Sequence, residues 1–390
     1  MSLDWIDAEL RKLSESHLLR SRVSRAGKLG PQIVIDGKRY IGFASNDYLG
    51  IASDSALQEI VERTVRSSGW GSGASPLIIG RSALHAELER RLATFFGKEA
   101  ALLFPTGFAA NTGTIPAMVS KHDVIFSDAK NHASIIDGCR LSGARIEVYP
   151  HRDVVALQRL IAENDRDGRQ LIVTDSVFSM DGDKAPIAEI ASVARAHNAM
   201  LMVDEAHAVG VIGPDGRGVS AEANVMESVD VLVGTLSKSF GSHGGFVVGS
   251  RKLIDFLTNR ARSYVFSTAG PVAAAAVALA ALTIMRDQPE RRNRLISISG
   301  QLRTRLADQG WNIGSSESHI IPIVVGECAE TITLSAHLKD RGYWVPCIRP
   351  PSVPSGESLL RVSLSSAHTD EMVDGLVEAI ADFAGFQPVH

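Results

Sequence analysis

At the centre of the sequence stands Ala199-Met-Leu-Met-Val-Asp-Glu-Ala-His207, in which five apolar residues run directly into two acids. A short apolar run bounded by polar residues is typical of a buried strand, and the polar residues mark its end. A second run, Val229–Val233, precedes Gly234-Thr-Leu-Ser-Lys-Ser-Phe-Gly241. An acid, Asp204, therefore closes one predicted strand, and a lysine, Lys238, lies just beyond another.

Strand and helix patterns alternate around this centre, from about residue 50 onward. The predicted strands are Ala100–Phe104, Asp123–Ser127, Arg145–Tyr149, Gln170–Thr174, Ala199–Val203, Val229–Val233 and Gly245–Val248. The predicted helices among them include Ala83–Phe96, Asn111–Val119 and Ile187–His197. Strands separated by helices indicate an α/β fold with a large, mainly parallel sheet that is covered on both faces.

The two ends of the chain have different patterns, so that three parts are predicted. Residues 1–50 form an N-terminal arm, with a helix over Leu3–Leu19 and a hairpin around Asp36-Gly37. Residues 51–285 form the large domain, and residues 286–390 form a smaller α+β domain after the charged stretch Arg286–Arg294. The elements predicted there are strands at Ile320–Val325, Trp344–Ile348 and Leu360–Ser363, and helices at Ile296–Gln309, Thr331–Arg341 and Asp370–Ala384.

Composition restricts the possible classes of function. Apolar residues make up 45% of the 390 residues and charged residues 22%, as in an ordinary globular enzyme. The formal net charge of −4 provides no basic surface for nucleic acid. The cysteines, Cys139, Cys328 and Cys347, are odd in number and widely spaced, which argues against a disulfide framework or a zinc site and for a reducing compartment.

No segment predicts secretion or insertion into a membrane. The start, Met1-Ser-Leu-Asp-Trp-Ile-Asp7, is already charged. The longest apolar run, Ala269–Met285, is shorter than the roughly 20 residues that a membrane-spanning helix needs, and a buried helix from Pro271 is expected instead. We therefore expect a soluble, cytoplasmic protein.

Lys238 and Asp204 together indicate pyridoxal phosphate (PLP) chemistry. In PLP enzymes, a lysine amine forms a Schiff base with the aldehyde of the cofactor, and an acid pairs with the pyridinium nitrogen. The alternative for Lys238 alone is a solvated surface lysine.

Other loops after predicted strands carry residues that suit the same cofactor. Gly107 lies at a predicted strand–turn–helix junction, where backbone N–H groups can bind a phosphate. The alternative is an ordinary turn with no ligand. His132 stacks on an aromatic ring or, alternatively, caps a helix or fills the core. Ser179 donates to a phenolate oxygen or serves only the turn. The glycine-rich loop Gly69–Ser75 admits a ligand or a partner subunit.

Motifs of several other enzyme classes are absent from the sequence. Asp204-Glu-Ala-His207 matches the acidic box of a helicase, but no phosphate loop of the form G-x-x-x-x-G-K-[ST] accompanies it. The motifs H-E-x-x-H, G-x-S-x-G and G-x-G-x-x-G are absent too. The metalloprotease, α/β-hydrolase and dinucleotide-binding interpretations thereby lose their main support, and no metal site is predicted.

Ordered motifs over nearly the whole chain resemble those of the α-oxoamine synthases. They are Asn46-Asp-Tyr-Leu-Gly50, Gly71-Ser-Gly73, Gly107-Phe-Ala-Ala-Asn111, Asn131-His-Ala-Ser134, Val177-Phe-Ser-Met-Asp-Gly182, Asp204-Glu-Ala-His207 and Thr235-Leu-Ser-Lys238. The resemblance implies a fold-type I PLP enzyme that condenses a small amino acid with an acyl thioester and releases CO2.

The same resemblance implies a role for each matching residue. By this resemblance, Lys238 is the Schiff-base lysine, Asp204 is the partner of the ring nitrogen and His132 stacks on the ring. Ser179 and His207 approach the phenolate oxygen, and Gly107, Phe108 and Thr235 contact the cofactor. Ser267-Thr268 reaches the phosphate of the neighbouring subunit in a homodimer. Lys238, once released, also takes the Cα proton. Arg361 aligns with the arginine that binds the substrate carboxylate.

One segment distinguishes the branches of this family. Cys347-Ile-Arg-Pro-Pro-Ser-Val-Pro354 resembles that of the branch which joins L-alanine to a pimeloyl thioester, of CoA or a carrier protein, in biotin biosynthesis. Arg20 matches an N-terminal arginine that contacts substrate in this branch, or else is one of several basic residues on an exposed arm. Ser352 replaces the usual threonine, and Leu360 stands where an arginine often precedes Arg361.

Three alternatives remain open. Another synthase of the family, of the glycine C-acetyltransferase, aminolevulinate synthase or α-aminoketone signal type, shares most of these motifs. A fold-type I aminotransferase shares Asp204 and Lys238 but returns the amino group to a keto acid. A non-catalytic protein of this fold has no chemical reason to keep Lys238, Asp204 and His132 together.

Overall fold

The computed structural model of the chain describes residues 3–164 and 167–383. The α-helices are α1 Asp4–Glu15, α2 Ser55–Ser68, α3 Ala83–Phe96, α4 Gly107–Met118, α5 Ala133–Ser142, α6 Val154–Ala162, α7 Ile187–Ala196, α8 Val219–Glu222, α9 Arg251–Arg260, α10 Arg262–Val265, α11 Val272–Asp287, α12 Pro289–Asp308, α13 Cys328–Asp340 and α14 Asp370–Ala381. The strands are β1 Arg25–Ala26, β2 Gln32–Ile35, β3 Lys38–Gly42, β4 Ala100–Phe104, β5 Val124–Asp128, β6 Arg145–Tyr149, β7 Gln170–Asp175, β8 Met200–Asp204, β9 Val231–Thr235, β10 Gly245–Gly249, β11 Ile320–Gly326, β12 Tyr343–Trp344, β13 Cys347–Ile348 and β14 Ser358–Ser363.

A seven-stranded sheet forms the centre of the larger of two compact units, which comprises residues 49–179 and 184–293. Its strand order is β4-β10-β9-β8-β7-β5-β6, and β10 pairs antiparallel with both of its neighbours. The pairs between β9, β8, β7, β5 and β6 are parallel. Its central strands are apolar and buried along their length, as expected for a sheet that is covered on both faces. The predicted α/β fold with a mainly parallel sheet is confirmed.

The second unit comprises residues 1–48, 180–183 and 294–390. Its described residues are 3–48, 180–183 and 294–383. It contains a sheet of order β1-β2-β3-β12 and an antiparallel sheet of order β11-β14-β13. The predicted hairpin is confirmed, since β2 and β3 pair antiparallel across Asp36-Gly37. The division of the chain into an arm and two domains stays a prediction.

Strand positions in the large sheet agree with the sequence to within two residues, but several other boundaries were wrong. Helix α4 begins at Gly107 rather than Asn111, because the Thr106 side chain accepts the Ala109 N–H and caps the helix one turn earlier. The predicted strand Trp344–Ile348 is two strands, β12 and β13, interrupted at Pro346, which has no N–H for a ladder.

A further wrong boundary is the start of the helix that was predicted over Ile296–Gln309. Helix α11 continues to Asp287, and α12 starts at once at Pro289, a favourable first helical residue. The predicted end of the last helix, Ala384, lies outside the described residues.

The apolar run after Pro271 forms α11, and most of its side chains are buried, as predicted. Among the helices of residues 3–164 and 167–383, none is both long and apolar enough to cross a membrane.

Candidate active site

Two acids lie side by side where the central parallel strands end. Asp175 at the end of β7 is in register with Asp204 at the end of β8. Asp204 is 5% exposed, and its two carboxylate oxygens accept hydrogen bonds from Ala206 N–H at 2.9 Å and from Asn111 Nδ2 at 2.7 Å. Two donors of fixed position hold the orientation of this buried carboxylate.

Lys238 lies in the loop after β9, at the same edge of the sheet. Its carbonyl accepts the Gly241 N–H at 2.8 Å. Gly241 has a φ of +59°, and a Cβ on it would lie 2.5 Å from the Ala52 nitrogen, so only glycine fits this turn. The turn therefore fixes the backbone from which the lysine side chain projects.

Charge interactions place Lys238 near the other predicted residues. Burial lowers the pKa of His132, and the charge of Lys238 lowers it further, whereas Asp204 acts in the opposite direction. Burial and the charge of Asp204 raise the pKa of Asp175 well above its usual range, and Lys238 opposes this. The structure thus brings Lys238, His132 and the two acids together.

His132 has the helix-capping role that was considered as its alternative, and it lies in the site as well. Its Nδ1 accepts the Ser134 N–H at 3.2 Å and caps α5. Its own backbone N–H donates to Asp175 Oδ2 at 2.7 Å. The ring of Phe108 approaches it edge-on, with ring centroids 6.4 Å apart. One face of the site is therefore aromatic.

Gly107 and Thr235 form the part of the site that suits a phosphate. Gly107 is the first residue of α4, where backbone N–H groups have no partner within the helix. A Cβ on Gly107 would lie 3.3 Å from Thr235 Cβ, so the backbone and this side chain are in close contact. The Thr235 hydroxyl donates to Gly244 O at 3.0 Å and accepts the Ser237 N–H at 3.2 Å.

Ser179 and His207 follow β7 and β8 in the loops at this edge of the sheet, where the sequence placed them. Glu205, the acid beside Asp204, has a structural role instead. Its buried carboxylate accepts from the Ser176 hydroxyl at 2.6 Å and from Ser220 N–H and Val219 N–H at 2.7 and 2.9 Å. Burial raises the pKa of Glu205, and these donors oppose the rise.

Ser267 and Thr268 lie beside the predicted glycine-rich loop. The Ala269 N–H donates to Ala74 O at 3.0 Å, and the Ser72 hydroxyl donates to Gly270 O. The two segments therefore run next to each other on the surface of this unit.

The other unit holds the predicted substrate residues, and Arg361 is the most buried of them. It lies on β14 and donates to Ser363 Oγ at 2.8 Å and to Asn46 Oδ1 at 3.2 Å. Tyr48 is close by: burial raises its pKa to about 12, and Arg361 opposes that rise. Asn46 was quoted in a motif but given no role, and only the fold shows that it holds Arg361.

Arg20 and Arg349 lie together along a groove of about 550 Å³. Arg20 donates to Pro350 O at 3.3 Å, and Arg349 donates back to Leu19 O at 3.4 Å, so the N-terminal segment is bound to the 349–350 turn. Ser352 is exposed on that turn, where its N–H donates to Arg349 O at 3.1 Å. Arg349 is thus a second guanidinium in a groove for which the sequence had indicated only Arg20.

The residues of the large unit fit pyridoxal phosphate. They offer an amine for the aldehyde, a buried carboxylate for the ring nitrogen, a neutral aromatic side chain for the ring and helix N–H donors for the phosphate. Sequence reasoning missed Asn111, Ser134 and Asp175, which bind the predicted residues rather than a ligand. Asn111 and Ser134 end two of the quoted motifs, but their contacts arise only when α4, α5 and β8 are packed together.

Comparison with known proteins agrees with this geometry. The family model described as aminotransferase class I and II matches residues 38–380. An 8-amino-7-oxononanoate synthase from Anaeromyxobacter dehalogenans is 45% identical over 380 residues, which is 97% of this chain and 95% of that protein. A serine palmitoyltransferase variant from S. paucimobilis, solved with bound PLP-myriocin aldimine, has a TM-score of 0.93 at 30% identity over 98% of both chains. An 8-amino-7-oxononanoate synthase from Francisella tularensis has a TM-score of 0.77 at 29% identity, over 88% of this chain and 97% of that chain.

Replacement of Lys238 by alanine is expected to abolish covalent retention of the cofactor after borohydride reduction, because PLP enzymes link the cofactor to a lysine amine and Lys238 is the lysine predicted for this role. The measurement is the intact mass of the reduced, denatured protein. Lys252→Ala is the matched control, since Lys252 is an exposed lysine on α9, and it should retain the adduct. An adduct that persists in Lys238→Ala would show that another amine carries the cofactor.

Proposed function

The chain belongs to the aminotransferase class I and II family and, within it, to the α-oxoamine synthases, and we propose that it joins L-alanine to a pimeloyl thioester in biotin biosynthesis. The product is 8-amino-7-oxononanoate, with CO2 and a free thiol. The observation that carries the proposal is the 45% identity to an 8-amino-7-oxononanoate synthase over 97% of the chain.

The name of the product in these relatives dictates the substrates. Carbon 8, its amino group and the terminal methyl are the skeleton of alanine without its carboxyl group, and the rest is a seven-carbon acyl chain that ends in a carboxylate. One carbon–carbon bond therefore forms between the alanine Cα and the thioester carbonyl, the thiol leaves, and the alanine carboxyl departs as CO2. The thiol belongs to CoA or to a carrier protein.

The cofactor of this enzyme is pyridoxal phosphate, which supplies an electron sink for the negative charge at the amino-acid Cα. Asp204 holds the proton of the ring nitrogen by opposite charge. Lys238 binds the cofactor and, once released, moves the proton at Cα. His132 packs on the ring. Together these side chains would hold the cofactor in place and control the proton at the amino-acid Cα.

The remaining side chains of this unit fix the position of the cofactor. Ser179 and His207 donate to its phenolate oxygen, and Gly107, Phe108 and Thr235 hold its phosphate end. The position of Gly107 as the first residue of α4 supports this assignment, because backbone N–H groups at a helix N-terminus have no partner within the helix and bind anions.

Arg361 binds the carboxylate of the amino acid. A planar guanidinium suits a carboxylate because two N–H groups point in parallel at its two oxygens. The contacts with Asn46 and Ser363 fix the plane of the guanidinium before the substrate arrives. Both contacts are to neutral oxygens.

The groove with Arg20 and Arg349 suits the acyl substrate. Its lining includes Leu19, Val23 and Trp344, which are apolar, beside the two guanidinium groups. An acyl chain that ends in a carboxylate has the same combination of an apolar body and an anionic end. Ser352 on the adjoining turn keeps the hydroxyl of the usual threonine and is assigned to substrate binding as well.

A second subunit covers the segment that carries Ser267 and Thr268, so that the enzyme is a homodimer with shared active sites. Large apolar side chains are exposed beside this segment: Ile78 and Ile79 are 73% and 81% exposed, and Phe266 is 71% exposed. They lie close together, because α10, which precedes Phe266, packs on the turn 76–80. Such a patch on one unit is typical of a protein interface.

A second candidate activity is favoured by the fold comparison. The TM-score of 0.93 to a serine palmitoyltransferase exceeds the value of 0.77 to the Francisella synthase. In that case L-serine and a palmitoyl thioester would replace alanine and the pimeloyl thioester. Sequence identity favours the first assignment, at 45% against 30%.

Incubation with L-alanine and pimeloyl-CoA is expected to release CO2 and free thiol in equal amounts, and the product should have the mass of 8-amino-7-oxononanoate. L-Serine with palmitoyl-CoA serves as the parallel reaction. Faster thiol release in the parallel reaction would select the second candidate. Pyruvate formation without CO2 would instead indicate an aminotransferase.

Arg361→Ala should raise the KM for the amino acid by about 10²-fold, the effect of losing a charge-assisted bidentate contact, with cofactor content unchanged. Steady-state kinetics and absorbance of the bound cofactor measure the two quantities. Arg305→Ala, which removes an exposed arginine paired with Asp374, is the control and should leave the KM unaltered. An unchanged KM in Arg361→Ala contradicts the assignment.

Ile79→Asp should weaken the dimer, because a charge would be buried at the interface. Val155→Asp is the matched control, since Val155 is a similar aliphatic side chain, 79% exposed, at the start of α6. Sedimentation velocity over a range of concentrations gives the oligomeric state. If both variants sediment like the unmodified protein, the interface lies elsewhere.

A further inference from the structure

Asn111 joins the acid of the site to the helix that carries His132. Its Nδ2 donates to Asp204 Oδ2 at 2.7 Å and to Ser134 Oγ at 2.9 Å, and Asn111 and Ser134 are each 1% exposed. An amide has only one end that can donate to a carboxylate, so the orientation of Asn111 is fixed. Both of its N–H groups are thereby used.

Ser134 transmits this orientation to the imidazole. Its backbone N–H donates to His132 Nδ1 at 3.2 Å, and a backbone N–H has no other role than donor, so Nδ1 must present a lone pair. The Ser134 hydroxyl lies 2.7 Å from the same nitrogen. Because that hydroxyl already accepts from Asn111, its single proton is directed at Nδ1. The ring proton of His132 then belongs on Nε2.

We propose that Asn111 and Ser134 are positioning residues that hold His132 as a neutral imidazole with its proton on Nε2. The proposal rests on the proposed function, in which His132 packs on a cofactor ring that Asp204 keeps protonated. A neutral imidazole can face such a ring, whereas an imidazolium would repel it and would compete for Asp204.

The charged groups around His132 do not by themselves decide its state. Asp204 on β8 and Asp137 on α5 favour the cation, and burial and Lys238 disfavour it. Asp175 on β7 accepts from the backbone N–H of His132. Burial is the largest of these effects, and it lowers the pKa of His132, in agreement with the hydrogen-bond geometry.

The other end of Asn111 supports the same conclusion. Its Oδ1 is buried and accepts a hydrogen bond from none of the described residues. Among the described residues, the side-chain hydrogen bonds of Asn111 are therefore the two that its Nδ2 donates.

The test is nitrogen NMR of the holoenzyme with ¹⁵N-labelled histidine, with His132→Gln used to assign the signals. From about pH 6 to about pH 9, a range that starts below the ordinary histidine pKa, His132 should show an unprotonated Nδ1 and a protonated Nε2. Ser134→Ala should raise the pKa of His132 by about one unit, since a donor to the neutral ring is lost. Ser142→Ala, on the same helix, should leave it unchanged.

A double-mutant cycle tests the role of Asn111. If Asn111 acts through Ser134, Asn111→Ala should add little to the pKa shift of Ser134→Ala, whereas independent structural effects would add up. A proton on Nδ1, a cationic His132 near neutral pH, or no shift in Ser134→Ala would overturn the proposal. Should Asn111→Ala not fold, the Ser134→Ala result still decides. Borohydride trapping measured on the same samples reports separately on the cofactor assignment.

Discussion

The site depends on the burial of one carboxylate at the end of a central strand. Asp204 is removed from water, and two donors, the Ala206 N–H and the Asn111 amide, take the place of its hydration. A buried charge of this kind is tolerated only when its donors are fixed and a cation completes the pairing. In the proposed function, the protonated ring nitrogen of the cofactor would be the cation that pairs with Asp204.

The two adjacent acids, Asp204 and Glu205, have different roles because they have different hydrogen-bond partners. Asp204 is the last residue of β8, and Glu205 begins the loop that follows it. There it accepts four hydrogen bonds from Ser176, Val219 and Ser220 and holds α8 against the sheet. Gly218 allows this close packing, because a Cβ at this residue would lie 2.5 Å from the Glu205 carboxyl carbon.

Sequence patterns predicted the sheet and the loops that carry the candidate site residues, for physical reasons. Buried parallel strands are apolar along their whole length, so the sequence pattern predicted β7, β8 and β9. In sheets of this kind, ligand-binding residues follow the carboxyl ends of the strands, which indicated the loops to search. The start of α4 was missed because the capping contact of Thr106 is a local side-chain geometry that periodicity does not report. Asn111, Ser134 and Asn46 were not recognised as functional, because each acts on residues that are distant in sequence.

Helix α4 carries Gly107, which is proposed to bind the phosphate, at its first residue and the contact of Asn111 with Asp204 four residues later. Four residues are about one turn, or roughly 6 Å of rise, so Gly107 and Asn111 lie on the same side of the helix. The distance between the two ends of the cofactor site is therefore set by the pitch of an α-helix rather than by loops. A single inserted residue in this turn would rotate Asn111 by about 100° away from Asp204, which leaves evolution little freedom to change the length of this segment.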